Sequence, residues 1–268
     1  QSRDVCEAQI NDWGLTAFLH EAQHEVDEPD GGMFSHLTYQ RCTWDAVPQL
    51  ERICVWCDPA VSNTDTSDCN GIHADGMASG GRIYRLWSWE QRASPQETLC
   101  RAIIKAVELG AEVVGVETDQ GGDTWQSVYQ AAIRHLEADE SDLQPEELTP
   151  QMTMFRAQFQ AAIQTRVDVL KQKGLDDDAA RAIAYRRPSF RAAKAGSGYG
   201  GKVERNARQL AEYERGRFVH VIGTHVILER ALRRFPKAKP FDLVDAAFWS
   251  WHYLTGGGMG NSAVGAFG

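Results

Sequence analysis

The sequence lacks the features that mark membrane and secreted proteins. No apolar run approaches the roughly 20 residues that a helix needs to span a bilayer. The opening residues, QSRDVCEAQINDWG, contain no apolar stretch of the kind found in signal peptides. Only six cysteines occur among 268 residues, too few for a disulfide scaffold in a chain of this length. These absences favour a reducing cytosol.

Several catalytic and binding motifs are missing as well. The sequence has no GxxxxGK[ST] loop, so we expect no ATP site in this chain, and it has no GxSxG sequence that would indicate a serine hydrolase. Its histidines form no cluster that suggests zinc. Cys54 and Cys57 make a single CxxC in a predicted strand, where residues three apart point to opposite faces. The pair therefore predicts no zinc site.

What the sequence does contain is an uneven distribution of charge. The whole chain has a net charge of −9, yet residues 181–239 hold 15 Lys and Arg against 4 Glu, a net charge of +11. The remaining residues therefore carry a net charge of −20. The overall charge argues against a general nucleic-acid binder, but a basic block within an acidic protein favours a polyanionic partner.

The strongest local pattern is the sequence GAEVVGVETDQGG at 110–122. Gly110 can end a preceding helix in the left-handed conformation. The valines that follow predict a short strand that is buried on both faces, and Glu117 comes directly at its end. Because open α/β sheets bind ligands at the carboxyl ends of their strands, Glu117 is a candidate site residue.

A second acid ends another predicted strand. The segment LERICVWCD at 50–58 is apolar over its second half, which predicts a central strand that ends at Asp58. A helix over 94–110, with good start and stop signals, leads into the strand at 113–117. This connection allows the strands that end at Asp58 and Glu117 to pair in parallel.

The last predicted helix carries the remaining candidate acids. Its sequence is FDLVDAAFWSWHYL at 241–254, with Asp242 and Asp245 near the start and no Lys or Arg. Burial of these acids is therefore costly unless a cation comes from elsewhere. Asp58, Glu117 and Asp245 then come from three separate rigid elements. Mg²⁺ takes oxygen ligands of this kind, and two such ions can hydrolyse a phosphodiester bond.

A further segment predicts contacts to phosphate. The sequence RRPSFRAAKAGSGYGG at 186–201 combines basic groups with glycines, and we expect a flexible loop there. Freedom of the backbone beside basic side chains suits contact with a phosphate backbone. The predicted DNA contacts are Arg191, Lys194, Lys202 and Arg205.

The predicted order of elements resembles the ribonuclease H-like fold, an α/β fold with a mixed five-stranded sheet flanked by helices. The five predicted strands lie at 50–58, 71–74, 82–89, 113–117 and 217–222. More specifically, the sequence resembles the nuclease domain of the large subunit of bacteriophage terminases. The resemblance covers roughly residues 50–255 and is carried by VWCDPA, SDCNGI, VVGVETDQGGD at 113–123, GKVERNARQLAEYERGRFVHV at 201–221 and FDLVDAAFWS at 241–250.

This resemblance implies a chemistry and a set of site residues. Members of the family cut double-stranded DNA concatemers during genome packaging with Mg²⁺ or Mn²⁺, which implies a two-metal endonuclease. Asp58, Glu117 and Asp245 would be the metal ligands, and Asp242 would be an accessory acid. Many relatives have two consecutive acids where this chain has Phe241 and Asp242, so the choice between Asp242 and Asp245 as the main third ligand stays open.

The resemblance also implies domains and partners. Residues 49–255 would form the nuclease domain with a helical insert at 137–180, residues 1–48 an arm or linker from an ATPase domain that is absent here, and residues 256–268 a flexible tail. The expected partners are double-stranded DNA, that ATPase domain, the small terminase subunit and the portal protein, with no membrane. The expected location is the host cell cytoplasm and not the mature virion.

Two other kinds of function stay open from the sequence. Another ribonuclease H-like enzyme, such as a resolvase, a transposase or an RNA–DNA hybrid nuclease, could share the three acids. Alternatively, the acids could be capping and surface groups of a non-catalytic module that binds DNA or the portal through its basic block. Metal-dependent cleavage separates the enzymes from the binding module.

Overall fold

The computed structural model describes residues 5–6, 32–59, 69–118, 124–144, 148–194 and 200–256. The chain divides into two compact units, Gln1–Gly31 and Gly32–Gly268, and the fold given below is that of the second unit. The expected tail beyond residue 256, the turn at Gly121 and Gly122, and much of the expected arm at 1–48 lie outside the described residues.

Seven strands and seven α-helices make up the described part of this unit. The strands are β1 (Arg41–Cys42), β2 (Leu50–Asp58), β3 (Asn70–Ala78), β4 (Ile83–Gln91), β5 (Val113–Glu117), β6 (Ser189–Ala193) and β7 (Phe218–Val221). The helices are α1 (Pro95–Leu109), α2 (Thr124–Glu137), α3 (Pro150–Gln172), α4 (Asp177–Ala184), α5 (Lys202–Glu214), α6 (His225–Arg234) and α7 (Asp242–Leu254). None of these helices has the length and apolar character needed to cross a membrane.

These strands form one mixed sheet in the order β1-β7-β4-β3-β2-β5-β6. The pairs β2–β3 and β3–β4 are antiparallel, and the pairs β2–β5, β5–β6, β4–β7 and β1–β7 are parallel. The predicted mixed α/β class is therefore confirmed, and so is the parallel pairing of the strands that end at Asp58 and Glu117.

The predicted number of five strands is wrong, because two strands form where the local sequence gives little sign of one. Strand β6 lies in the segment 186–201, for which we expected a loop, and it pairs in parallel with β5 along its whole length. Strand β1 has two residues and pairs with β7. In both cases pairing with an existing strand outweighs a weak local preference, because strand formation depends on neighbours more than on sequence alone.

Helix α1 begins and ends as its sequence predicts. The Ser94 side chain accepts a hydrogen bond from the backbone of Glu97, and the Glu97 side chain accepts one from the backbone of Ser94. Pro95 occupies the first turn, where its missing N–H has no cost. Gly110 ends the helix in the left-handed conformation, with a φ of 69°. This helix delivers the chain to β5 in the direction required for parallel pairing with β2.

The sheet is covered on both faces, as its continuous apolar strands require. Val55 belongs to one core, which also contains residues of α1, α2 and α3, whereas Trp56 packs on the other face against Trp249 of α7. Cys57 lies in the first core and Cys54 in the second. The expectation that the CxxC pair points to opposite faces is thus confirmed.

The expected apolar stripe of the insert packs mainly as predicted. Phe155 and Phe159 of α3 are buried in the first core. Met154, which we expected in the same stripe, is 41% exposed, and Met152 is buried instead. Met152 lies three residues before Phe155 and therefore on the same side of the helix.

Helix α7 lies close to the sheet because β3 has no side chain where the two cross. A Cβ atom at Gly71 would come within 2.3 Å of the backbone nitrogen of Leu243. Gly71 pairs with Asp58 on one side and with Glu90 on the other. The close approach therefore sets the first turn of α7 above the strand ends where these acids lie.

Replacement of Gly71 by alanine should destabilise the fold by about 3 kcal/mol, because the added methyl group would displace the backbone of α7. Gly201→Ala is the matched control, since a Cβ atom there meets nothing within 4 Å, and it should change stability by less than about 1 kcal/mol. Urea unfolding followed by circular dichroism measures both variants. Wild-type stability of Gly71→Ala would show that the crossing accepts a side chain.

Candidate metal centre

Two acids meet at the carboxyl ends of neighbouring parallel strands. Strand β2 ends at Asp58 and β5 ends at Glu117, and the residues before them, Cys57 and Val116, are directly paired. Asp245 lies in the first turn of α7, and all three acids are buried. One carboxylate oxygen from each of Asp58, Glu117 and Asp245 lies within 4.8 Å of the others. The fold thus brings together acids that are far apart in the sequence.

Asp242 occupies the same turn of α7 but a different place in the site. It is 5% exposed, and its Oδ1 lies 3.4 Å from the ammonium nitrogen of Lys202. It does not belong to the group of three carboxylates that could share one ion. The sequence left open whether Asp242 or Asp245 is the main third ligand. The geometry favours Asp245 and places Asp242 beside it.

Two cations of helix α5 lie among these carboxylates. The Lys202 ammonium nitrogen is 2.9 Å from Asp58 Oδ2 and 2.9 Å from Asp245 Oδ2. The Arg205 guanidinium group is 2.8 Å from Asp245 Oδ2 and 3.2 Å from Glu117 Oε1. Residues three apart share one side of a helix, so α5 presents both cations to the cluster.

The structure separates the four basic residues that we predicted as contacts to the DNA backbone. Arg205 is only 2% exposed, and both Lys202 and Arg205 are engaged with carboxylates. Arg191 is half-buried in β6, and Lys194 is exposed directly after it. The four therefore do not form one open phosphate-binding surface. Charge in the sequence does not reveal whether a cation faces solvent or a buried acid.

The cluster has more negative than positive charge. With all groups ionised, four carboxylates against Lys202 and Arg205 leave a formal charge of −2. Burial raises the pKa of Asp58, and repulsion by Glu117 raises it further. Burial and then repulsion by Asp245 raise the pKa of Glu117 to about 7. Burial alone would lower the pKa of Lys202, but attraction by the surrounding aspartates raises it.

Hydrogen bonds hold two of the carboxylates in place. Trp249 Nε1 donates to Glu117 Oε2 over 3.0 Å. Asn206 Nδ2 donates to Asp245 Oδ1 over 3.2 Å. The other oxygen of each carboxylate accepts a hydrogen bond from Arg205. Trp249 and Asn206 therefore orient the two carboxylates as well as stabilise them.

A buried polar network continues from this asparagine into the sheet. Gln209 donates to the asparagine over 2.7 Å and accepts from Arg85, which also donates to Asp75 over 2.8 Å. His73 lies 2.8 Å from Asp75 and 2.9 Å from Ser88 Oγ, an arrangement like that of a serine hydrolase triad. All three residues are at most 2% exposed, so substrate cannot reach them, and their role is structural.

Glu90 is an acid near the site that the sequence analysis missed. It pairs with Gly71, which pairs in turn with Asp58, so Glu90 and Asp58 project from the same face of the sheet. Burial and then repulsion by Asp242 raise the pKa of Glu90 to about 7. The signal in the sequence is an acid near the end of the strand IYRLWSWEQ, of the same kind as Asp58.

The donor set fits a hard divalent cation. The group consists of three carboxylates and contains no thiol or imidazole, which suits Mg²⁺ or Mn²⁺ better than zinc. Mg²⁺ keeps several of its waters, so three carboxylates suffice. A divalent cation would also offset the formal charge of −2 that Lys202 and Arg205 leave.

Comparison with known proteins yields distant structural likenesses, among them a viral nuclease domain and a mitochondrial resolvase. No family model and no curated protein matches the sequence. The human cytomegalovirus terminase nuclease domain matches over 80% of this chain and 89% of its own, with a TM-score of 0.44 and 10% identity. The same domain, soaked with Mn and with inhibitor bound, matches over 83% and 91%, with a TM-score of 0.42 and 13% identity. The yeast mitochondrial Holliday junction resolvase matches over 78% and 82%, with a TM-score of 0.36 and 10% identity.

The likenesses are too distant to say what the site does. The case for a metal centre therefore rests on the geometry and charge of the cluster.

Arg205→Met should destabilise the metal-free protein by about 3–5 kcal/mol, because it leaves buried Glu117 and Asp245 without their shared cation. Arg208→Met removes an exposed arginine from the same helix and should cost less than about 1 kcal/mol. Chemical unfolding in the presence of chelator measures both. Equal losses in the two variants would show that the buried ion pairs are not what stabilises this helix.

Mn²⁺ or Mg²⁺ should raise the melting temperature of the wild type. A ligand that binds only the folded state stabilises that state by about 2.7 kcal/mol when its concentration is 100 times its Kd. The increase should vanish in Asp58→Asn and Asp245→Asn. Asp168→Asn changes an exposed acid of α3 and should keep the increase. The same metal response in all three variants would place the ion elsewhere.

Proposed function

We propose that this protein is a divalent-metal-dependent endonuclease that hydrolyses phosphodiester bonds of double-stranded DNA. The observation that carries the proposal is the group Asp58, Glu117 and Asp245, which two parallel strands and a helix hold within 4.8 Å of one another. Burial of several like charges opposes folding. A cluster of this kind is therefore expected where a bound cation is part of the function.

The residues of the chain would bind and orient, and the metal would supply the chemistry. The chemistry that one or two bound Mg²⁺ or Mn²⁺ ions would supply is activation of a water molecule and stabilisation of the leaving oxygen of a phosphodiester. The three carboxylates would hold the metal, with Glu117 oriented by Trp249 and Asp245 oriented by Asn206. Rigid support of this kind matters because small displacements of reacting groups cost large factors in rate.

The narrower form of the proposal is the nuclease domain of a bacteriophage terminase large subunit, which cuts viral DNA concatemers during packaging. Its support is the sequence resemblance at 113–123, which contains Glu117, and at 201–221, which contains the two cations of the cluster. In this role the protein would act in the host cell cytoplasm with an ATPase domain, the small terminase subunit and the portal protein.

Two alternatives make different use of the same residues. A resolvase, a transposase or an RNA–DNA hybrid nuclease would employ the same three acids, so the preferred substrate decides among the enzymes. A non-catalytic module that binds DNA or the portal would need its acids only as capping and surface groups. The exposures of Asp58, Glu117 and Asp245, 6%, 7% and 0%, argue against surface groups.

Supercoiled plasmid should be nicked and then linearised by the protein with Mn²⁺ or Mg²⁺, and it should stay intact with chelator. Asp58→Asn, Glu117→Gln and Asp245→Asn should each lower the cleavage rate by more than about 100-fold. Loss of a residue that only supports a metal ligand lowers activity by at most about that factor. Gel analysis of single time courses measures the rates.

The exposed control Asp168→Asn should cleave at the wild-type rate, and circular dichroism should show the same fold in every variant. Duplex DNA, an RNA–DNA hybrid and a four-way junction of matched sequence are then compared. A preference for the hybrid or the junction would favour the other ribonuclease H-like nucleases. A folded protein that cleaves none of them with any metal would overturn the enzyme proposal and favour the binding module.

A further inference from the structure

A concentrated group of cations spans the end of α6 and the segment that follows it. Residues 230–239, which run from within α6 to just before α7, contain five Lys and Arg and no Asp or Glu. We call this segment the basic turn. Its half-buried cation is Arg230, and its exposed cations are Arg233, Arg234, Lys237 and Lys239.

The basic turn is anchored to the core at its centre. Phe235 is fully buried, and its ring lies 5.3 Å from that of Phe241 at the start of α7. The backbone N–H groups of Lys237 and Ala238 both donate to the carbonyl oxygen of Arg234, over 2.8 and 3.0 Å. The cations are therefore carried on a folded turn whose position relative to α7 is fixed.

The course of the chain and the packing of α6 place the basic turn near the carboxylate site. Lys239, its last cation, lies three residues before Asp242, the acid next to the three-carboxylate group. Glu90 lies two strands away from Asp58 in the same row of the sheet. Burial and the charge of Asp242 raise the pKa of Glu90, and Arg230 and Arg234 act against this rise. Helix α6, which carries both arginines, packs against β4, the strand that carries Glu90.

A nucleic acid that approaches the site needs positive charge that the cluster itself does not offer. Four carboxylates against two cations repel phosphates, and Lys202 and Arg205 are engaged with acids. Arg233 and Arg234 lie in the last turn of α6, where cations interact favourably with the helix dipole. Lys237 and Lys239 lie beyond the helix and are exposed.

We propose that the basic turn holds the phosphate backbone of double-stranded DNA beside the carboxylate site. The contacts would be to phosphate and would position the duplex without reading its sequence. The inference rests on the proposed function, since it names the surface that brings that substrate to the acids. It moves the main backbone contacts from Arg205, which is buried, to the turn before α7.

The test is the binding of a fluorescent duplex of about 30 base pairs in chelator, so that cleavage does not contribute to the signal. The variant Arg234→Gln/Lys237→Gln/Lys239→Gln should bind at least about tenfold more weakly at moderate salt. Its slope of log K against log salt should be shallower by about 2 to 3, because each phosphate contact contributes about 0.9. The loss should be similar for duplexes of unrelated sequence.

The matched control removes the same charge elsewhere. Lys171→Gln/Lys173→Gln/Arg181→Gln changes three exposed cations at or near the helical insert, and it should keep the wild-type affinity and salt slope within about twofold. Circular dichroism checks the fold of both triple variants. If the triple variant of the turn does not fold, the single variants Lys237→Gln and Lys239→Gln replace it in the test. Each should make the slope of log K against log salt shallower by about 1.

Wild-type affinity and slope in the folded variants of the turn would overturn the inference. Equal losses of affinity in both triple variants would overturn it too, because net charge and not position would then explain the losses. A wild type that binds no duplex would also overturn it. None of these results bears on metal-dependent plasmid cleavage, which tests the proposed function separately. A protein that binds through the turn but cleaves nothing would remove the proposed function and keep the inference.

Discussion

Burial of like charges at one end of the sheet is the constraint on which the rest of the structure depends. Asp58, Glu117 and Asp245 have oxygens within 4.8 Å of one another, and both lost hydration and mutual repulsion oppose this arrangement. Cations from α5 among the acids, together with hydrogen bonds from Trp249 and Asn206, make it stable. The charge that stays uncompensated is then available to a bound metal.

The scaffold satisfies this constraint through strand pairing and one close approach. Parallel pairing sets the ends of β2 and β5 side by side, and Gly71 lets α7 reach them. The buried network then ties the helix to the sheet, since Arg85 donates to the carbonyl oxygen of Ala247 and Ser250 donates to Asp75. The arrangement of Ser88, His73 and Asp75 would suggest a hydrolase in an open cleft, but here all three are buried and Asp75 joins the sheet to α7.

The fold also divides the basic block of the sequence into groups with different roles. Lys202 and Arg205 compensate buried acids, and Arg187 pairs with Glu137 at the insert. The cations of the basic turn lie on an anchored segment that leads into α7. The net charge of +11 over residues 181–239 is therefore a sum over cations in different local environments. The electrostatic field near the acids depends on which of these cations lie there.

The sequence by itself determined the mixed α/β class, the limits of α1, and the acids that end β2 and β5, because capping residues, glycines and runs of apolar residues act locally. Only the tertiary structure decided that β6 pairs with β5, that Glu90 lies near the site, and that Asp245 joins the other two acids while Asp242 lies beside them. It also decided that Arg205 is buried. A strand pair or an ion pair needs two elements that are far apart in the chain, and no local pattern states which elements will meet.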